Sequence, residues 1–338
     1  MQVHKLESLP PPPGVIGALR TGFDVVASHV VLILMPLLVD VFLWLGPRLS
    51  VAKLMGPVYR LAFEQARIEL ASPDEAGRLT QVQSLFNELL QRFNLVSLMT
   101  RLQTFPIGVS SLMAKIMPVD SPLGEQNIIS VSSGWLLLAY MFLLVVIGWV
   151  AGGLYFRWVS GTVLGGQESG ISPVRAILQT FLLSIIWTVL LISLSIPILI
   201  LLTVFTLINP ALASGAAFLL LIFSFWFIVP LYFTPHGIFI RRQNAFSSIY
   251  TSLRMARFTL PTSAMFVFSV FILSTGLNYL WSVPSSDSWM LVIGIAGHAF
   301  ITTALLAASF VYYRDMNAWL QLVFENLGQK NNAPARQV

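Results

Sequence analysis

The chain has 338 residues, 56% of them hydrophobic and only 10% charged, with a net charge of +5. A soluble domain carries roughly 25% charged residues, so folding in water is excluded for most of this chain, and lipid is the solvent its apolar stretches require. The lack of cysteine excludes disulfides, thiolate metal sites and cysteine nucleophiles.

About 20 mainly apolar residues are needed to cross a bilayer, and six segments qualify: 27–46, 134–156, 176–205, 213–240, 261–282 and 289–313. The expected fold class is all-α, a polytopic transmembrane helical bundle of about six spans. A helical extracytoplasmic insertion over 47–133 separates spans one and two. Residues 1–26 form an N-terminal segment whose last part is an amphipathic lead-in. Span one follows at 27–46 and reads as a retained span, because no convincing small-residue cleavage site follows it. In the insertion, Val51 to Leu70 and Leu79 to Phe105 show helical spacing of apolar residues. Ser72, Pro73 and the acids after them read as a helix start. The stretch Phe105 to Met117, too short to span, is expected as an interfacial helix on the outer leaflet. Residues 134–313 hold spans two to six, with kinks expected at Pro36, Pro197 and Pro230 across the bundle. Residues 314–338 form an amphipathic helix and tail.

Positive charge sets orientation. Eleven Lys and Arg residues fall before span one, between spans two and three, between spans four and five, and after span six; the short loops 206–212 and 283–288 carry none. The insertion holds eight basic and seven acidic residues, but long loops are exempt from the rule. Both termini are therefore expected in the cytoplasm, and the protein in the cytoplasmic (inner) cell membrane. Arg20, Arg175, Arg241, Arg242, Arg254 and Arg257 are the candidate anchors for lipid head groups at the inner face.

Three cytoplasmic lead-ins look alike: Gly17-Ala-Leu-Arg20, Ser172-Pro-Val-Arg175 and Thr251-Ser-Leu-Arg254. They read either as three copies of a lead-in, span, loop and returning span, or as separate arginines snorkelling to phosphates. The third, Asn244 to Arg257 followed by an apolar span, resembles the multi-span membrane domains found alone, or fused to glycerophosphodiester phosphodiesterases, in bacteria. The resemblance covers mainly 232–281 and implies a fold type, not an activity. The chain departs from that pattern in its long 47–133 insertion and has no recognisable phosphodiesterase domain.

Ionisable groups inside a bilayer mark function by default. Asp40 lies about 9 Å, and His298 about 13 Å, from the outer ends of spans one and six at the helical rise per residue. Asn278 is near the outer end of span five. These three residues are the candidate polar site, open to the outside, the alternative being that Asp40 caps a contact with the insertion and His298 bonds a neighbouring carbonyl. His29 and His236 read as interfacial polar residues rather than haem or metal ligands. Gly148, Gly152 and Gly153 in span two, and Gly294 and Gly297 in span six, are helix-packing positions, within the bundle or between protomers.

The loop Gly165 to Gly170 lacks the Lys-Ser/Thr of a P-loop and reads as a turn. No GxxxxGK[ST], HExxH or GxSxG occurs, so no catalytic residues, cofactor or metal are expected. Expected partners are membrane lipids, with a membrane-protein partner or a second copy as further options. Nucleic acid is a poor fit without a basic soluble domain. The leading expectation is a non-enzymatic scaffold, accessory or lipid-organising protein, with a transporter second and an intramembrane lipid enzyme third.

Overall fold

A computed structural model describes residues 11–69, 73–103, 106–165 and 170–331. The expectations for Ser72, Phe105 and the 166–169 turn lie outside those residues. The described residues are all-α apart from four short strands. In order it forms α1 (Val15–Ser28), a 3-10 turn (Val30–Ile33), α2 (Leu34–Leu45), β1 (Arg48–Ser50), α3 (Ala52–Glu69), α4 (Pro73–Arg92), α5 (Leu95–Gln103), α6 (Met113–Ile116), β2 (Asp120–Ser121), β3 (Gly124–Glu125) and β4 (Ile128–Ser130). The long helices follow: α7 (Gly134–Val163), α8 (Pro173–Ile208), α9 (Pro210–Tyr232), α10 (Thr234–Arg241), α11 (Ala245–Trp281) and α12 (Leu291–Asn331).

Among the described residues five helical stretches are long and apolar enough to cross a membrane, and a sixth counts if the pair Val15–Ser28 and Val30–Leu45, bent by 96°, is one span. The stretch expected as span one, 27–46, includes that bend: Ser28 ends α1, and Val30 opens the 3-10 turn that leads into α2. The break in α11 is at Thr259, whose backbone is non-helical (φ −125°, ψ 20°), two residues before Pro261. Proline clashes with the carbonyl four residues back and withholds a donor, which separates the lead-in from its span. The lead-in at Arg175 instead runs unbroken into α8, started by Ser172 as N-cap with Pro173 at the first position.

The chain divides into two compact units. One comprises residues 33–155 and 275–302, including the insertion. Here β1 pairs in parallel with β4, and β2 pairs antiparallel with β3. Gln126 donates from Nε2 to the carbonyls of Leu43 (3.0 Å) and Trp44 (2.5 Å), satisfying acceptors that the end of α2 leaves open. The buried amide of Asn94 receives the backbone N–H groups of Leu49 and Val96, and the Arg48 guanidinium donates to the Gln91 carbonyl at 2.7 Å. These bonds tie the ends of α4 and α5 to the strand pair. The stretch expected as an interfacial helix is helical only at α6. Ile107, Leu112 and Met113 are buried, so this apolar run is core. Leu112 and Met113 pack with Leu43, Trp44, Leu291 and Ile295.

The other unit comprises residues 1–32, 156–274 and 303–338. Its core is the lower half of α12, where Ala304, Ala307 and Ala308 are buried and let neighbouring backbones approach closely. A Cβ on Gly22 would overlap the Ala308 backbone, so α1 fits against α12 only with glycine there. Aromatic rings fill the rest: Phe266 stacks on Tyr312 at 4.3 Å, and Phe156 meets Phe239 and Phe310. Helix α12 continues without a break through the segment expected as a separate C-terminal amphipathic helix. Beyond Trp187, α8 and its antiparallel partner α9 are exposed along most of their apolar length.

Candidate functional site

Asp40, on α2, is fully buried. Its Oδ1 accepts from the Ser111 hydroxyl at 2.5 Å and from the Met113 backbone N–H at 3.0 Å. Ser111 in turn accepts from the Ala114 N–H at 3.0 Å. The carboxylate therefore caps the start of α6, where anions are favoured by unpaired N–H groups.

His298, on α12, is also fully buried. Its Nδ1 lies 2.5 Å from Asn278 Oδ1, so Nδ1 carries the proton and donates. The neutral ring then presents Nε2 as an acceptor. Nε2 faces the Ser110 hydroxyl at 3.4 Å and Asp40 Oδ2 at 4.0 Å. Oδ2 has no hydrogen-bond partner of its own. Asp40, His298 and Asn278 thus meet in one buried cluster with Ser110 and Ser111. Lys115 is exposed, yet its ammonium is held below the ordinary lysine range by partial burial and by Arg101, with Asp40 opposing.

Both sides of the sequence reading are present together: the three residues converge, and Asp40 also caps the insertion. The cluster is closed rather than open to the outside, since Asp40 and His298 have no exposed surface. Ser110 and Ser111 were missed. Serine is too common for its residue type to mark a site, and only the fold brings 110–111 beneath α2.

The packing glycines have definite neighbours. A Cβ on Gly152 would sit 2.9 Å from the Ile107 carbonyl oxygen and 3.0 Å from Gly108 Cα, so the GxxxG of α7 accommodates backbone of the insertion. Gly153 is buried beside it, and Gly148 lines the groove described below. A Cβ on Gly297 would meet the Trp281 ring at 2.7 Å, and one on Gly294 would meet the Trp281 carbonyl.

That groove, of about 480 Å³, is lined by Leu38 and Phe42 from α2, Met99 and Thr100 from α5, and Tyr140, Leu144, Ile147 and Gly148 from α7. Thr100 and Tyr140 alone bring polar side chains to it. A neighbouring groove of about 360 Å³, lined by Met55, Phe86, Leu89, Leu95 and Leu137, shares Met99 with it.

The arginines divide by role. Arg20 pairs loosely with Asp24 one turn on, at 3.9 Å. Arg175 donates to the Arg242 carbonyl at 2.7 Å, and Arg242 ends α10 in a left-handed conformation. Arg241 donates to Asn317 Oδ1 at 3.4 Å, Arg254 lies over the Phe324 ring at 5.3 Å, and Arg257 is exposed. His29 is exposed and bonds the Val25 carbonyl. His236 is not the interfacial residue expected. It is buried among Tyr232, Phe233, Phe310 and Tyr313, with Nε2 2.7 Å from the Ser309 hydroxyl. Only Phe233 separates α9 from α10, and Pro210–Arg241 counts as one candidate span; the burial of His236 comes from the aromatic rings packed round it, which helical spacing alone does not reveal. Among the described residues no group of His, Asp and Glu is placed to hold a metal ion.

No protein-family model, curated protein or solved structure matches the chain.

Proposed function

We propose that this is a non-enzymatic membrane protein that holds lipid, taking an acyl chain into the groove between α2, α5 and α7. The observation that carries this reading is the pairing of an open apolar groove with a sealed polar cluster. The groove has the size of a ligand site and almost no polar lining. Asp40 and His298, the ionisable groups nearest in sequence to a transport role, are shut away from any path. An aqueous substrate needs polar side chains along its route, and the groove provides a hydroxyl from Thr100 and one from Tyr140. A lipid-acting enzyme needs convergent catalytic groups facing its substrate, and the groove has none.

In this reading the protein resides in the cytoplasmic membrane with both termini inside, since the basic residues gather on one set of loops. The resemblance of 232–281 to bacterial membrane domains adds a fold type and no chemistry. Native mass spectrometry of the purified protein tests the lipid role. Wild type should retain phospholipid, and Gly148→Leu with Ala151→Trp, which fill the groove, should release it while the protein stays monodisperse. Wild type without bound lipid, or a filled groove that still carries it, defeats the proposal.

One observation favours a second reading, a proton-linked transporter: a buried carboxylate and imidazole stand 4.0 Å apart beside a broken helix pair, an arrangement transporters use. Proteoliposomes with an internal pH dye separate the two. The lipid-holding role predicts no proton flux that Asp40→Asn abolishes.

A further inference from the structure

The six candidate anchor arginines differ in one respect that sequence alone does not show: Arg241 and Arg254 share a pocket. Its volume is about 150 Å³, and Thr251, Asn317 and Gln321 add polar groups to its walls. That is room for roughly five waters, or for one phosphate group and its ester oxygens.

The walls are built to leave cationic donors unspent. Asn317 is fixed by donating from Nδ2 to the Tyr313 carbonyl at 2.8 Å, and its Oδ1 holds Arg241 by a single long bond of 3.4 Å. Arg254 rests on Phe324, which packs edge-on against Phe258 at 5.2 Å. Thr251 donates to Gln243 Oε1 at 2.8 Å, so its oxygen lone pairs and position are set. No carboxylate lines the pocket, and among the described residues neither guanidinium has an acidic partner. A guanidinium carries five N–H donors in a fork that fits phosphate oxygens two at a time. Two such forks, both on exposed arginines, face a cavity without a carboxylate and can hold an anion between them.

The floor states which kind. Met255, Phe258, Leu320 and Phe324 line the same pocket, and Phe258 is itself exposed on the outer surface of α11. An anion with apolar chains attached satisfies guanidinium groups and rings together, whereas a free ion leaves the rings wet. We infer that Arg241, Arg254 and Gln321, with Thr251 and Asn317 as fixed walls whose own donors are already spent, form a binding site for a phosphate group, carried by an anionic phospholipid. The site rests on the chain lying in a membrane and is independent of the acyl groove between α2 and α7.

The test uses the full chain in nanodiscs of phosphatidylcholine with or without phosphatidylglycerol, counting bound phosphatidylglycerol by native mass spectrometry. Wild type should retain it in preference to phosphatidylcholine. Arg241→Gln with Arg254→Gln should weaken retention about 30-fold, from the loss of two basic residues beside anionic lipid. Gln321→Glu, which places a carboxylate in the pocket without removing either arginine, should weaken it as well. Arg60→Gln, an exposed arginine of the insertion outside the pocket, should leave it unchanged. Undiminished binding by the double variant, or an equal loss in Arg60→Gln, overturns the site. In detergent, inorganic phosphate is the second probe. Phosphate binding that depends on the two arginines, without any preference between the two lipids, overturns phospholipid as the source of the phosphate group.

Discussion

Replacing Asp40 by alanine should release the start of α6, and replacing it by asparagine should not. In the native protein one buried oxygen of Asp40 receives the Ser111 hydroxyl at 2.5 Å and the Met113 N–H at 3.0 Å. Alanine leaves both buried donors unpaired, at about 1–3 kcal/mol each, or about 4 kcal/mol together. Every 1.4 kcal/mol is a factor of ten, so amide exchange at Met113 and Ala114 should accelerate about 1000-fold. Asparagine keeps an acceptor oxygen at the same place. It loses only the charge assistance of the two bonds, about 2 kcal/mol at most, or roughly 30-fold in exchange. Hydrogen exchange in detergent, read on peptides covering 106–117, separates the two variants. Equal acceleration in both, or none in the alanine variant, would refute the assignment of Asp40 as the cap that holds the insertion.

Other positions give sharper controls. Gly152→Val should destabilise the protein by about 1–3 kcal/mol, the range for forcing extra atoms into a packed site, because its Cβ would meet the insertion backbone at 2.9 Å. Gly215→Ala, with nothing within 4 Å of the added carbon, should leave the thermal midpoint unchanged. Trp44→Phe removes an indole N–H that donates to the Ser286 carbonyl at 2.7 Å, and should cost about 1 kcal/mol in denaturant unfolding. Lys115, whose ammonium is shifted down by burial and Arg101, should acylate at lower pH than a lysine in a model peptide. Its depressed folded-state value penalises folding while the lysine is charged, so the protein should gain stability as pH rises through that value. Lys115→Met should remove that gain, as thermal unfolding across alkaline pH will show.

The long apolar stretches were legible because lipid demands length and composition that no soluble helix needs. The meeting of Asp40, His298 and Asn278 was legible in part, since polar groups at similar depth in apolar spans have few neighbours to choose from. Their enclosure was not. It depends on 107–116 folding into the core, and an apolar run of that length reads equally as core or as an interfacial helix. The burial of His236 was not legible because it comes from Phe310 and Tyr313 on α12, far along the chain. The pocket of Arg241 and Arg254 joins α10, α11 and α12, from Arg241 to Phe324, so the arginines alone suggested orientation and nothing more.

Because the chain contains no cysteine, single introduced cysteines can report its topology with no native thiol to remove first. The measurement is labelling of intact and permeabilised cells with a membrane-impermeant maleimide at Leu123→Cys, Ala211→Cys, Ser285→Cys and Gln243→Cys. Leu123, Ala211 and Ser285 are expected to react in intact cells, and Gln243 only after permeabilisation. Reaction of Gln243 in intact cells, or protection of Ala211 and Ser285, would contradict a six-span chain with its arginine-rich ends inside.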